Sequence, residues 1–541
     1  MALARTRSVS LEGVRGHVVE IEADIASGLP HVALVGSVDG ALTEARDRCR
    51  AAVVNSGRPW PQRKITIALS PASLPKAGAH YDLAIAVAVL AAQAEVPAQP
   101  LADAVLLGEL ALDGRLRAVP GVLPATLAIA RAGLTKVLVP EANVVEASQV
   151  GGLDVIGARS LRHVVALLRG EDPPDDPAVE PLSAGIDGGW RGEDRVTGLD
   201  LCDVRGQGDA RFALEVAAAG GHHVRLHGPP GGGKTMLAER LPGLLPDLEH
   251  DQSLEVSAVH SVAGVLRPDA PLVQRPPFLD PHHTASLVSV IGGGSRHIRP
   301  GAVSLAHHGV LFLDEAPEFP VNVLEALRQP LESGQIAVSR ASRTAWFPAR
   351  FQLVLAMNAC PCGQSDRTGD GCTCTPLAKR RYAERVSAPI RDRIDLHREV
   401  RPLERHHLHD DFDPVEPTAV VAERVAAARE RQLARLRGTP WRRNADVPGS
   451  QLRSRWPLPA VATGPLERMS RSRGVSARGV DRVLRVAWTL ADLAAVDRPG
   501  VDQVQLAVQL RAGSSFAVPE PAASRVEPAP GPASELRAVV S

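Results

Sequence analysis

The sequence predicts a multidomain α/β protein that ends in a helical region. Two long stretches, 1–170 and 190 to about 400, alternate strand patterns with helical patterns, whereas the chain from 418 onward has only helical patterns. A glycine-rich loop between a predicted strand and a predicted helix lies in the second stretch. A chain of 541 residues is too long for one core, and its length favours about three domains.

The first stretch, 1–170, is predicted to be an α/β domain. Its predicted strands are HVALVG (31–36), KITIALS (64–70), AVLLGELAL (104–112) and KVLVP (136–140). Its predicted helices cover 42–57, which Gly57 closes, then 82–93 and 122–133. Prolines, glycines and acidic residues indicate a linker at 171–189.

Composition limits the possible classes of protein. Lys plus Arg and Asp plus Glu both number 61, which excludes a uniformly basic nucleic-acid coat but not a basic pore. No apolar run of about 18 residues occurs, so we expect no membrane span. The first residues lack the apolar segment of a secretory signal, and six cysteines favour a reducing cytoplasm. The tail 513–541, rich in Pro, Ala and Ser, is predicted to be disordered.

The glycine-rich loop matches G-x-x-x-x-G-K-[ST] in full, between the strand HVRL (223–226) and the helix TMLAERLPGLL. Glycines allow backbone N–H groups to converge on phosphate oxygens, and the helix N-terminus adds its positive dipole end. We expect Lys234 to contact the β- and γ-phosphates of ATP and Thr235 to bind Mg²⁺. The nucleotide-binding residues predicted here are Gly228, Pro229, Pro230, Gly231, Gly232, Gly233, Lys234 and Thr235.

Two further strands supply polar groups suited to ATP hydrolysis. Asp314 and Glu315 follow the apolar run 310–313; the first can hold Mg²⁺ and the second can polarise the attacking water. Asn358 ends the strand 351–358, where its amide can position that water. The alternative is that Asp314 and Glu315 are simply two solvated acids at a strand end. The presence of the phosphate loop makes this alternative the weaker interpretation.

These motifs, in this order, resemble AAA+ ATPases of the magnesium-chelatase-like group. The stretches PFLDPHHTASLVSVIGGGSRHIRPGAVSLAHHGVLFLDEAPEF and LRQPLESGQIAVSRA are similar to the YifB/ComM family of competence-associated proteins. The resemblance extends from about residue 5 to 512. It implies an AAA+ P-loop core at 190–410, including a cysteine loop at 360–374, and a C-terminal helical lid at 411–512.

The resemblance also implies roles for several arginines. Arg393 matches an arginine finger that reaches a neighbouring subunit's nucleotide, and Arg478 matches the sensor-2 arginine of the lid. The region 260–300 corresponds to an insertion in helix 2, and 333–351 corresponds to a hairpin that places Arg340 and Arg343 near a central pore. A solvated surface charge is the alternative for each arginine.

The family further implies a homo-hexameric ring and DNA helicase or branch-migration activity on single-stranded, forked or branched DNA. No helix-turn-helix pattern is visible, and aromatic residues make up only 3% of the chain. Two rivals remain open. One is a metal-insertion ATPase like magnesium chelatase, and the other is a protein-remodelling or protease machine.

The first 170 residues resemble the Lon-protease and ribosomal-S5-like α/β domain, especially in GELALDGRLRAVPGVLPATLAIARAGLTKVLVP. Lon enzymes use a Ser–Lys dyad. Here His80 stands at the serine position and Leu123 at the lysine position, so we expect no peptidase activity. A dyad of Ser70 or Ser73 with Lys76 is the alternative.

Four of the six cysteines, Cys360, Cys362, Cys372 and Cys374, form a C-x-C-x9-C-x-C pattern. Four thiolates on two short arms can form a tetrahedral Zn²⁺ site. Reduced loop thiols, disulfides and an iron–sulfur cluster are the alternatives. Paired histidines at 282–283 and 307–308, together with His260, are interpreted as surface or hydrogen-bonding groups rather than ligands.

Overall fold

The computed structural model describes eight stretches of the chain: 2–36, 40–182, 195–294, 298–340, 343–364, 372–401, 415–473 and 476–519. The predicted linker 171–189 is therefore described only as far as 182, and the predicted tail 513–541 only as far as 519. The predicted boundary between core and lid, at 410–411, lies outside the described residues.

The N-terminal region contains two small sheets and one hairpin. The four-stranded sheet has the order β1-β2-β4-β3, the three-stranded parallel sheet has the order β5-β8-β9, and β6 pairs with β7. Its strands are β1 (Ala2–Glu12), β2 (Arg15–Ala26), β3 (His31–Val35), β4 (Lys64–Ser70), β5 (Ala104–Leu106), β6 (Glu109–Leu110), β7 (Leu116–Arg117), β8 (Lys136–Pro140) and β9 (Asp154–Ala158). Its helices are α1 (Gly40–Asn55), α2 (Asp82–Ala92), α3 (Val122–Arg131), α4 (Val144–Ala147) and α5 (Leu161–Arg169).

The strand predicted at 104–112 is in fact two short strands, β5 and β6. Leu107 still donates to Leu138 of β8 at 2.9 Å, but the next residue, Gly108, bonds to the start of α2. Gly108 donates its N–H to the His80 carbonyl at 3.0 Å, and its own carbonyl accepts from Leu83 at 3.1 Å. An apolar run alone does not show where backbone bonds leave a sheet, so the prediction was wrong at this point.

The central sheet is fully parallel, with the order β11-β14-β17-β10-β18. Both faces are covered. Along β14, Val310 and Phe312 belong to one apolar cluster while Leu311 and Leu313 belong to another, as the two-residue period of a strand requires. The five strands are β10 (Val224–His227), β11 (Phe278–Leu279), β14 (Val310–Leu313), β17 (Gln352–Met357) and β18 (Leu396–Glu399).

Short helices and two hairpins surround this sheet. The hairpins are formed by β12 (Gly292–Gly293) with β13 (Arg299–Pro300), and by β15 (Gln335–Arg340) with β16 (Arg343–Pro348). The helices are α6 (Gly208–Gly220), α7 (Lys234–Ala238), α8 (Leu241–Leu244), α9 (His250–Ala263), α10 (Leu287–Ile291), α11 (Ala302–Leu305), α12 (Val321–Ala326), α13 (Arg328–Ser333), α14 (Pro376–Glu384) and α15 (Ala388–Arg391).

Two predictions in this region need correction. The helix expected after the phosphate loop is divided into α7 and α8, because Pro242 in the first turn of α8 has no N–H to continue a helix. The insertion expected at 260–300 was too broad, since Phe278–Leu279 within it forms the edge strand β11. The described elements between β11 and β14 are α10, the β12–β13 hairpin and α11, which lie within 287–294 and 298–305.

The C-terminal region is helical, as predicted. It comprises α16 (Thr418–Arg435), α17 (Gly449–Arg455), α18 (Gly464–Arg473), α19 (Ala477–Leu493) and α20 (Val501–Ala512). Its apolar side chains, including Trp488 and Leu510, share one continuous core with Leu226 and Val354 of the central sheet. The helical region is therefore packed on the sheet rather than joined to it by a linker alone.

A buried ion pair joins the helical region to the start of β18. Asp395, fully buried, accepts from Arg482 of α19 at 2.9 Å and from the backbone N–H of His223 at 3.0 Å. Burial by itself would raise the pKa of Asp395, but Arg482 and the adjacent histidines hold that pKa well below its usual value. Removal of either partner would leave a buried charge without compensation.

The N-terminal region contacts the core through α3 and α9. Leu123, Val150 and Ala258 form a small buried cluster between them. Beside it, Glu146 accepts from the Leu123 N–H at 2.9 Å and from the hydroxyl of Ser261. Burial raises the pKa of Glu146, and these hydrogen bonds oppose that rise. The contact thus combines apolar packing with a satisfied buried carboxyl group.

Within the described ranges, no helix is both long enough and apolar enough to cross a membrane.

We expect Leu123→Ala to weaken this contact by about 2–5 kcal/mol, since it opens a cavity at a fully buried position. Thermal unfolding followed by circular dichroism should show a lower first transition. Leu112→Ala, at a side chain that is 59% exposed, is the control and should change stability by less than about 0.5 kcal/mol. Equal unfolding midpoints for the two variants would contradict the role assigned to the contact.

Candidate functional site

The candidate site lies at the carboxyl edge of the central sheet. The strands β10, β14 and β17 are neighbours and parallel, so the residues that follow them meet at one edge. This is the edge at which open parallel sheets bind ligands. The phosphate loop follows β10, Asp314 and Glu315 follow β14, and Asn358 follows β17.

The phosphate loop leaves no space for a side chain at its first glycine. A Cβ atom on Gly228 would lie 2.0 Å from the carbonyl oxygen of Val400, which follows β18. Gly231 and Gly233 have φ angles of +74° and +90°, in the left-handed region that glycine tolerates. The loop is therefore held against β18 and opens toward the N-terminus of α7, a geometry suited to a phosphate group.

Lys234 lies at the centre of the site and is almost fully buried. Its ammonium donates to the carbonyls of Gly228 at 2.9 Å and Pro229 at 2.8 Å, and to Oδ1 of Asn358 at 3.1 Å. Burial lowers the pKa of Lys234, while Asp314 and Glu315 act to raise it. The lysine thus connects the phosphate loop to the strand end that carries Asn358.

Thr235 and Asp314 contact each other directly. The Thr235 hydroxyl donates to Oδ2 of Asp314 at 2.7 Å, and the other carboxylate oxygen accepts from the N–H of Glu315 at 2.9 Å. Hydroxyl and carboxylate oxygens are the hard ligands that Mg²⁺ prefers, and one or two of them with phosphate oxygens and water make its usual coordination. These two side chains fit a magnesium ion next to the phosphate loop.

Glu315 has a backbone conformation that is rare for a residue with a side chain, with φ of +50°. Its carboxylate is about half exposed, and Oε2 lies 3.5 Å from Nδ1 of His283. His283 follows the edge strand β11. From its sequence context it was interpreted as a surface or hydrogen-bonding group, without a specific partner. The pattern that could have identified it is a short apolar strand followed by DPHH, since β11 is the neighbour of β14.

Arg393 and Arg478 line the same cavity, which is not at the phosphate loop. Both line a cavity of about 770 Å³, and among the described residues that line it none belongs to 228–235. Arg393 is nearly buried, donates to the Pro389 carbonyl at 2.7 Å and pairs with Glu332 at 3.1 Å. Arg478 is exposed near the start of α19. Within one chain, these arginines are thus separate from the residues that would bind the nucleotide.

Arg340 ends β15, and the guanidinium of this exposed residue lies against Gly293 of β12. The two hairpins, β12–β13 and β15–β16, therefore meet at their ends. Arg343 begins β16 and pairs with Arg340 through the backbone, while its side chain is outside the described part. The predicted hairpin at 333–351 is present as β15 and β16, and Arg340 is the last residue of β15. Its position near a central pore stays a prediction.

The two positions compared with a Lon dyad have structural contacts. His80 Nε2 lies 2.8 Å from the Val9 carbonyl, and Leu123 is fully buried in the contact with α9. Lys76 donates to the carbonyl of Pro71. Ser70 and Ser73 are exposed on the surface.

The four cysteines of the predicted loop are brought together. The Sγ atoms of Cys360 and Cys362 are 3.2 Å apart, and Cys372 Sγ lies 3.7 Å from each of them. With Cys374 included, all four sulfur atoms lie within 4.8 Å of one another. The Cys374 N–H and the neighbouring thiols lower the pKa of Cys372 to about 6, which favours the thiolate.

A second group, Glu255 with His307 and His308, has a different character. The backbone N–H of Arg350 donates to Nδ1 of His307 at 3.0 Å, so the proton of this neutral ring is on Nε2. That nitrogen lies 3.1 Å from Oε2 of Glu255 and donates to it. Burial lowers the pKa of His307 to about 3. These hydrogen bonds connect α9, which carries Glu255, to the segment before β14, which carries the two histidines.

Three family profiles match the chain, and all of them describe the magnesium chelatase subunit ChlI. The profile "Magnesium chelatase, subunit ChlI" matches residues 200–408, "Subunit ChlI of Mg-chelatase" matches 21–143, and "Magnesium chelatase, subunit ChlI C-terminal" matches 415–511. A shorter similarity links the chain to a Lon protease of Rhizobium meliloti, 27% identical over 185 residues that form 31% of this chain and 23% of the protease.

Several relatives match over nearly their whole length. An uncharacterized protein of Mycobacterium tuberculosis is 52% identical, over 94% of this chain and 99% of its own. The uncharacterized protein YifB of Escherichia coli is 41% identical, over 95% of this chain and 97% of its own. The competence protein ComM of Haemophilus influenzae is 40% identical, over 91% and 94% respectively.

We expect Asp314→Asn to weaken nucleotide binding only when Mg²⁺ is present, because it removes one negative charge from the proposed ion site. Titration with a fluorescent ATP analogue should show at least about a tenfold loss of affinity with Mg²⁺ and little change in EDTA. Asp269→Asn, an exposed acid paired with Arg267, is the matched control. Equal losses with and without Mg²⁺ would contradict a metal-binding role for Asp314.

Proposed function

The chain belongs to the YifB/ComM family of magnesium-chelatase-like proteins, and on this basis we propose that it is an ATP-hydrolysing AAA+ motor that moves along DNA. The observation that supports hydrolysis most directly is the convergence of Lys234, Asp314 and Asn358 at one edge of the parallel sheet. The division into a Lon-like domain (1–170), an AAA+ core (190–410) and a helical lid (411–512) is part of the proposal.

In the proposed reaction, water attacks the γ-phosphate of ATP in line with the leaving group. Lys234 exchanges its bonds to the carbonyls of Gly228 and Pro229 for the β- and γ-phosphate oxygens. Thr235 and Asp314 would hold Mg²⁺, whose positive charge would offset the negative charge of the phosphates. Glu315 polarises the water and Asn358 orients it, while His283 limits the directions in which the Glu315 carboxylate can point.

We place Arg393 and Arg478 at a subunit boundary. Both are remote from the nucleotide site of their own chain, so a contribution to hydrolysis requires a second copy. A closed homo-hexameric ring would bring the arginine-lined cavity of one subunit to the phosphate loop of the next. Arg393 must then leave Glu332, whose carboxylate is largely exposed and can be re-solvated. Hydrolysis would depend on assembly for this reason.

Arg340, where the two hairpins meet, supports the proposal that the motor moves along DNA. A ring of six such arginines could contact phosphates while the net charge of the chain stays at zero. The related ComM is named as a competence protein. We extend this to branch migration during recombination of incoming DNA, in the cytoplasm, on single-stranded, forked or branched substrates.

The family profiles themselves favour one alternative. All three describe a magnesium chelatase subunit, which is consistent with ATP-driven metal insertion. The N-terminal region does not exclude it, since one of these profiles matches residues 21–143, and the response of hydrolysis to DNA decides between the two functions. Peptidase activity is not part of the proposal, since Leu123 cannot act as a base. As cofactors we assign ATP with Mg²⁺, and Zn²⁺ at the four cysteines.

The central test is ATP hydrolysis by the purified protein with and without single-stranded and forked DNA. We expect strong stimulation by DNA in the wild type and none in Lys234→Ala, which serves as the blank. Stimulation should fall as salt rises, since phosphate contacts release counterions. Hydrolysis that is indifferent to DNA across a range of salt would exclude the DNA motor and favour a metal-insertion or protein partner.

A mixing experiment tests the subunit boundary. Arg393→Ala and Lys234→Ala should each be almost inactive alone, by about 10³-fold for loss of an arginine finger. In a mixture, some boundaries combine an intact phosphate loop with an intact Arg393, so part of the activity should return. Each variant mixed with additional copies of itself is the control. A mixture no more active than its components would show that Arg393 does not act across subunits.

A further inference from the structure

The four cysteine sulfur atoms have the spacing of ligands to a single metal ion. A tetrahedral site with Zn–S bonds of about 2.3 Å has sulfur–sulfur edges of about 3.8 Å. Two of the edges here are 3.7 Å and one is 3.2 Å, with all four sulfurs within 4.8 Å. A disulfide needs about 2.05 Å, so none of these three pairs is bonded.

We propose that Cys360, Cys362, Cys372 and Cys374 bind one Zn²⁺ ion, and that this ion fixes the strand end carrying Asn358 against the phosphate loop. The metal site stands on the cysteine geometry alone. Its effect on ATP binding and hydrolysis rests on the proposed function.

The groups around the sulfurs suit a tetrathiolate. Gln364 donates its N–H to Cys362 Sγ at 3.4 Å, and Gly363 donates to the Cys360 carbonyl at 3.1 Å, which closes a tight turn between the first two ligands. The ammonium of Lys379 on α14 bonds to Cys372. Four thiolates with Zn²⁺ carry a net charge of −2, so N–H donors and a nearby cation stabilise them.

The loop that carries the ligands is in contact with the nucleotide site. Asn358, two residues before Cys360, accepts from Lys234 at 3.1 Å. Gly363 has a φ of +73°, and a Cβ atom there would lie 2.7 Å from Cγ of Pro230 in the phosphate loop. Any movement of this turn therefore alters both the Asn358 amide and the loop that would surround the phosphates.

On its other side, the site precedes α14. Cys374 is followed by Thr375, whose hydroxyl accepts from the Ala378 N–H at 3.2 Å and so caps that helix. The same segment continues through α15 to Arg393. One ion thus joins β17, which ends at the site of hydrolysis, to the segment that carries the proposed arginine finger.

Zinc fits the sulfur spacing better than a cluster of several irons does. Thiolate ligands in a tetrahedral set select Zn²⁺ or iron. A cluster of several irons keeps its cysteine sulfurs farther apart than an ion shared at a common centre. One of the ligands, Cys360, is fully buried, while Cys362 is exposed, which leaves a route for the ion to enter and leave.

Metal content is the first test. Inductively coupled plasma mass spectrometry of full-length protein, purified without chelator or metal resin, should find about one zinc per chain. Cys362→Ser and Cys374→Ser should lose it. Cys202→Ser, a cysteine outside the cluster with the same partial exposure as Cys372, should retain it, and so should Cys362→His, since imidazole is also a zinc ligand. Zinc-free wild type, iron instead of zinc, or full zinc in both serine variants would overturn the proposal.

Coupling to the nucleotide site is the second test. Zinc released from the wild type by a mercurial and EDTA should lower the affinity for a fluorescent ATP analogue by about tenfold or more, and added Zn²⁺ with thiol should restore it. This protocol does not depend on a variant that folds. Unchanged affinity in zinc-free protein would overturn the coupling. A zinc-containing wild type that hydrolyses ATP without response to DNA would refute the motor function and leave the metal site intact.

Discussion

The parallel pairing of the five central strands is the constraint on which the site depends. Strands that run in one direction end at one edge, so residues distant in sequence are brought within hydrogen-bond distance there. Lys234 and Asn358 are separated by more than a hundred residues and are 3.1 Å apart. Because both faces of this sheet are covered, β14 and β17 are buried at every position and cannot shift without exposing the core. The edge is therefore a rigid platform for polar groups.

The second element of the architecture is the attachment of the helical region to that platform. Asp395 lies at the start of β18, where its carboxylate joins Arg482 of α19 to the backbone just before β10. Rotation of the helical region would break an ion pair whose carboxylate is fully buried, which is costly in a low-dielectric interior. Movement of the helical region should thus be transmitted to the strands that carry the phosphate loop, and the cavity lined by Arg393 and Arg478 lies at this junction.

The N-terminal region, which is similar to part of a Lon protease, is also a contact surface for the core. At the position compared with the Lon lysine, Leu123 packs against Ala258 of α9, and its N–H bonds to the buried Glu146. Val14, in the turn between β1 and β2, also packs against the core cluster that contains Phe347 of the arginine-bearing hairpin. The region is in contact with two elements of the core, so a shift of the N-terminal region would reach both α9 and the β15–β16 hairpin.

The sequence by itself determined the α/β class, the strand–loop–helix context of Lys234, the acidic strand end and the family, because each depends on a local pattern with a fixed period or spacing. It did not determine which strand ends become neighbours. His283 was interpreted as a surface or hydrogen-bonding group without its partner Glu315. The edge strand β11 was missed within the region expected to be an insertion, since a segment of two residues is too short to show a strand pattern. The strand interruption at Gly108 was likewise missed, because backbone bonds to distant partners decided it. The helix interruption at Pro242 has a local cause, the missing N–H of proline, and was overlooked. The cysteine spacing indicated a metal, but only the folded loop brought the four sulfur atoms within 4.8 Å of one another and the turn at Gly363 next to Pro230. Motifs such as the phosphate loop can be identified from the sequence because their residues are adjacent in the chain. Which strand ends become neighbours is decided only when the apolar faces of the strands are buried in the folded sheet.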